Sequence, residues 1–131
     1  MIKFFLNYKI VFHSLNFLLI FLYLYPGSFV GQIFYGSKKI QPQITPDFII
    51  SSNHFYTFAL FSIIGFFTFI KLNQIKVLII YLASLSIILE FLHLVIPDRT
   101  FQWSDLFGNL FGVIVVILIK KLINKYGVSK K

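Results

Sequence analysis

The chain has 131 residues, 58% of them hydrophobic and 12% charged, with 12 Lys and Arg against four Asp and Glu and a net charge of +8. Ordinary globular chains carry about 25% charged residues, so this composition excludes a water-soluble fold and leaves room for one domain embedded in or lying on the lipid bilayer. The basic residues flank apolar runs rather than interleaving with aromatics in one patch, which excludes a nucleic-acid groove, and the absence of cysteine removes disulfides, thiolate metal sites and cysteine nucleophiles.

The first apolar run, residues 10–25, follows a short basic segment with Lys3 and Lys9 and is interrupted by His13, Ser14 and Asn16. A small-residue cleavage signature after it is not evident around Pro26, Gly27 and Ser28, which favours an uncleaved first span over a signal peptide. Residues 26–53 hold Pro26, Gly27, Gly31, Gly36, Pro42 and Pro46, so a loop is expected there, its apolar pieces resting on the membrane surface. Three more apolar runs follow at residues 54–70, 77–96 and 106–123. A spanning helix needs about 20 residues and tolerates about 17, and the last run qualifies if Lys120 and Lys121 snorkel. The expectation is an all-α integral membrane protein, a small bundle of four transmembrane helices.

Lys and Arg resist translocation and so report orientation. Lys3, Lys9, Lys71, Lys76, Lys120, Lys121, Lys125, Lys130 and Lys131 fall on one side of such a bundle, and only Lys38, Lys39 and Arg99 on the other. Both termini are expected to be cytoplasmic. All four acidic residues, Asp47, Glu90, Asp98 and Asp105, then fall at or near the outer side.

Glu90 is the costly one. Counted back from Ile96 it lies about 9 Å inside the third span, and a charge at a helix centre costs about 2.5–3.5 kcal/mol even on insertion scales. Its candidate partners are His93 on the same helix face, His54 at the start of the second span, and Arg99, whose guanidinium is placed to fold back past Pro97 and make a two-pronged bond to the carboxylate. Asp105, Asn109 and Gly112 form one stripe down the last helix. Each has a plainer role as well: Asp105 or Ser104 as a helix cap, Asn109 and Gly112 as packing devices, Trp103 as an interfacial anchor.

Glu90, Pro97, Arg99, Asp105, Asn109 and Gly112 stand in the register of the C-terminal signature of VanZ-like proteins, and His54 with Phe55 resembles that family's weaker second motif. The resemblance covers about residues 50–116. His93 stands where the family usually has Gln, Ile50 and Ser51 where Asp and Lys often precede the His, and Val116 where a second Gly is usual. It implies a small multi-pass protein of the bacterial cytoplasmic membrane; the family's namesake is associated with resistance to the antibiotic teicoplanin.

Two functions follow as expectations. One is a cell-envelope protein whose outward-facing polar site binds a lipid-linked precursor, with Arg99, His93, Asp105 and Asn109 as ligand-binding residues. The alternative is an intramembrane hydrolase or transferase with Glu90 or His54 as catalytic base, or else an assembly subunit whose polar cluster only fixes helix packing. A metal set of His54, His93, Glu90 and Asp105 is composable, but Arg99 beside the acids favours ion pairing, so no metal and no cofactor is expected.

Overall fold

Apolar runs free of proline form the helices here, and capping residues, glycine and proline end them. The computed structural model describes residues 2–127, with side chains from Tyr8 onward. It contains α1 (Ile2–Leu24), α2 (Phe29–Tyr35), α3 (Ser52–Thr68), α4 (Leu72–Leu92) and α5 (Trp103–Tyr126), and no strand among the described residues. The side chain of Lys3, and Lys130 and Lys131 altogether, lie outside the described residues.

The helix α1 stops two residues before Pro26, whose ring disfavours helical backbone in Tyr25. The segment expected to be loop contains α2. Its first turn is capped by Ser28, whose Oγ accepts the Gly31 N–H at 2.9 Å, and it ends at Gly36 with φ 66°, a left-handed conformation that suits glycine. The axes of α1 and α2 differ by 81°, so α2 runs across the direction of α1. Before α3, Asp47 Oδ1 accepts from the Ser52 N–H and hydroxyl at 2.9 and 3.1 Å, a carboxylate at the positive end of the helix.

The boundaries of α4 depart from expectation at both ends. It begins at Leu72, because the exposed Asn73 and Lys76 extend the helix toward solvent rather than breaking it. It ends at Leu92, where the N–H groups of His93, Leu94 and Val95 bond three residues back in tight turns ahead of Pro97. Glu90 therefore sits in the last turn of α4, about 3 Å from its end rather than about 9 Å inside it.

Contacts along the helices set their directions. The Thr68 hydroxyl donates to the Tyr8 carbonyl at one end while Tyr23 meets His54 at the other, so α1 and α3 are antiparallel. Tyr81 Oη donates to Asn16 Oδ1 at 2.6 Å, pairing α1 with α4. On α5, Asn109 Nδ2 donates to the Ser86 carbonyl of α4, and the Ser51 N–H donates to the Ser104 carbonyl, which joins the starts of α3 and α5. These two parallel helices touch through glycine: a Cβ on Gly108 would meet the Ser51 carbonyl at 2.7 Å, and one on Gly112 the Phe55 carbonyl at 2.6 Å. Phe12, Leu19, Phe58, Leu82, Leu89 and Val113 fill the centre.

The outside is as apolar as the inside. Phe17 is 75% exposed, Phe67 71% and Ile80 67%, a surface suited to hydrocarbon rather than water. Two helices, α4 and α5, are long and apolar enough to cross a bilayer, and the bent pair α1–α2 makes a third if taken as one span. The 17 residues of α3 rise about 26 Å, short of a hydrocarbon core of about 30 Å. The all-helical bundle agrees with expectation; by length and composition, two or three spans rather than four qualify.

Candidate functional site

Because α1 and α4 run one way and α3 and α5 the other, the C-terminal ends of the first pair meet the N-terminal ends of the second. His54, Glu90, His93, Arg99, Asp105 and Asn109 all stand at that meeting point, on three helices and a loop. His13 lies midway along α1, exposed and ten residues before Tyr23.

Glu90 is fully buried. Its Oε1 accepts the Gln102 N–H at 3.1 Å, just ahead of α5, and lies 3.3 Å from His93 Nδ1. Its Oε2 has no hydrogen-bond partner among the described residues. The other ring nitrogen of His93, Nε2, lies 3.0 Å from the Tyr23 carbonyl. A carbonyl only accepts, so Nε2 carries the hydrogen.

Arg99 does not close on Glu90. Its Nε donates to the Tyr25 carbonyl at 3.1 Å and its Nη2 to the Leu22 carbonyl at 2.8 Å, so the two-pronged bond goes to the unpaired carbonyls at the end of α1. Those carbonyls form the negative end of the helix dipole, which suits a guanidinium. Burial, the largest influence, lowers the Arg99 pKa from its ordinary value, while Tyr23, Glu90 and Asp105 act against it. Arg99 remains a cation with further N–H donors to offer a ligand.

Tyr23, which the sequence reading did not single out, is the hub. Its Oη donates to the buried Asn109 Oδ1 at 2.8 Å, and its ring lies edge-on to His54 at 5.2 Å and stacked with His93 at 6.0 Å. Asn109 is satisfied on both sides by Tyr23 and Ser86, so its polar atoms tie α1, α4 and α5 together.

On the facing side, His54 Nδ1 lies 2.8 Å from Ser51 Oγ and 3.5 Å from Asp105 Oδ1. A serine protease-type triad puts serine and carboxylate on opposite nitrogens of the imidazole. Here both approach Nδ1, so Ser51, His54 and Asp105 do not form a proton relay of that kind. Asp105 lies in the first turn of α5 but makes no cap; the cap position is Gln102, without a side-chain bond. Of the composable metal set, His54, Glu90 and Asp105 offer one ligand atom each, all within 4.8 Å of one another; His93 is not among them.

Two cavities open onto this cluster. One, of about 340 Å³, is polar and is lined by Lys38, Lys39, Asp47, Ser51, His93, Asp98 and Asp105 among others. The second, of about 330 Å³, is mostly apolar, with Leu19, Leu22, Tyr23, Phe29, Val30 and Ile44 in its wall. Ser28, Gln41, Gln43, Asn53, His54 and Arg99 line both, so the two adjoin. Compared with known proteins, the chain matches no protein-family model, no curated protein and no solved structure.

Proposed function

We propose that this is a four-span membrane protein that binds an amphipathic ligand with an anionic head group, the chemical class to which lipid-linked envelope precursors belong. The observation that carries this reading is the junction of the two cavities: a polar chamber bordered by Lys38, Lys39 and Arg99 shares six lining residues with an apolar groove between α1, α2 and α3. A head group fits the first and a chain the second. Arg99 is oriented by the α1 carbonyls and turns its remaining donors to the ligand, while Lys38 and Lys39 supply charge at the rim. The register shared with VanZ-like proteins supports the same placement and rests on six positions. With the acids at the site end and most lysines at the other, the site faces outward.

The reading is tested by native mass spectrometry of the purified protein with a polyprenyl phosphate and with the matching neutral alcohol. Hydrogen bonds to a charged group are worth about 1.5–3 kcal/mol, so the phosphate is expected to bind about tenfold to a hundredfold more tightly. The double variant Lys38→Gln/Lys39→Gln reduces that preference. Equal binding of phosphate and alcohol, or no saturable binding of either, overturns it.

A further inference from the structure

Glu90 leaves Oε2 unpartnered although the side chain is fully buried, an arrangement that costs about 1–3 kcal/mol or more for a charged group. The same carboxylate belongs to a cluster in which His54, Glu90 and Asp105 each present a ligand atom within 4.8 Å of the others. Arg99 was expected to pair with these acids, but it places Nε and Nη2 on the Tyr25 and Leu22 carbonyls and makes no hydrogen bond to Glu90 or Asp105 among the described residues, so the guanidinium does not cap either carboxylate.

We propose that His54, Glu90 and Asp105 form a binding site for a divalent transition-metal ion, with zinc the best fit to one imidazole and two carboxylates. Zinc holds nitrogen and oxygen at about 2.0–2.2 Å, which sets tetrahedral ligand atoms about 3.4 Å apart. The His54 Nδ1 to Asp105 Oδ1 separation is 3.5 Å, already near that value. The widest pair needs to close by no more than about 1.4 Å, within reach of a glutamate side-chain rotation. Ser51 Oγ, 2.8 Å from the same His54 Nδ1, gives up that contact when the ion takes the nitrogen. His54 and Asp105 are 15% and 16% exposed and line the polar cavity, which supplies an entry path and leaves the fourth position open to water or to a ligand oxygen. An ion there adds positive charge at the inner wall of a chamber whose rim holds Lys38 and Lys39, and so gives an anionic head group a second point of attachment. The site stands whether or not the ligand is a lipid.

The experiment uses the full chain in detergent or nanodiscs, stripped with a chelator and titrated calorimetrically with zinc chloride alone, with bound metal counted by mass spectrometry after dialysis. One equivalent per chain is expected. Asp105→Asn and His54→Gln should each weaken binding by about tenfold or more, while His13→Gln, midway along α1 and away from the site, leaves it unchanged. Helical circular dichroism shows that each variant is folded, and zinc should raise the melting temperature of the parent protein but not of Asp105→Asn. Absence of stoichiometric zinc, or zinc held equally by the parent and both site variants, overturns the proposal.

Discussion

Tyr23 and Asn109 are the residues on which the site's rigidity turns. Asn109 Oδ1 takes its hydrogen bond from Tyr23 and its amide gives one to Ser86, so removing the phenol strands a buried acceptor between three helices. In membrane bundles such bonds average about 0.6 kcal/mol and reach about 1.7, because the unfolded helices also find partners. A cycle of Tyr23→Phe, Asn109→Ala and the double variant, followed by unfolding in mixed micelles, should give a coupling free energy in the upper part of that range. Zero coupling would remove Tyr23 from its place as hub. Glu90, His93, His54, Asp105 and Asn109 are visible in the sequence because a polar side chain in an apolar run has to be explained. Tyr23 is not visible, since a tyrosine closing an apolar run reads as an interface residue and its partner lies 86 positions away. The destination of Arg99 is hidden for a different reason: its acceptors are main-chain carbonyls, and any residue supplies those.

The pair α3–α5 carries the other half of the site, since it presents His54 and Asp105 to each other. Their approach depends on Gly108 and Gly112, one turn apart on α5, each with α3 backbone where a side chain would go. Alanine in place of helical glycine gains about 1 kcal/mol of propensity. Overpacking costs typically about 1–3 kcal/mol, and backbone is the least forgiving neighbour. Gly112→Ala and Gly108→Ala should therefore both destabilise the bundle, with the double variant losing His54–Asp105 contact. Gly65→Ala is the control, because its neighbours at 3.0–3.1 Å are the ends of the Leu78 and Phe12 side chains, which can shift. Thermal melts in detergent that rank Gly65→Ala as the most damaging of the three would contradict this packing account. The stripe Asp105, Asn109, Gly112 was legible from helical spacing. Gly108 was legible only as half of a small-residue pair four apart, and α2 only from Ser28 and Gly36, whose capping signals stand among prolines that argue for loop.

At the scale of the molecule, hydropathy locates all four long helices but settles span count poorly, because α3 is short and α1 is long with a perpendicular continuation. The environment of the ends bears on the proposed four-span arrangement. The site end holds Lys38, Lys39, Arg99 and all four acids, whereas Lys71, Lys76, Lys121 and Lys125 stand at the other, and a helix of about 26 Å can cross if the bilayer thins or polar flanks enter the interface. If all four helices cross, every position at the site end shares one compartment and every position at the other end shares the opposite one. The chain has no cysteine, so single cysteines introduced for labelling report without background. Lys39→Cys and Thr100→Cys, exposed in the two loops at the site end, should react with a membrane-impermeant maleimide in intact cells. Lys71→Cys and Lys125→Cys, exposed at the other end, should react only after permeabilisation. Reaction of Lys71→Cys in intact cells together with Lys39→Cys would mean that α3 does not cross, and would leave the polar chamber at the edge of a smaller membrane anchor.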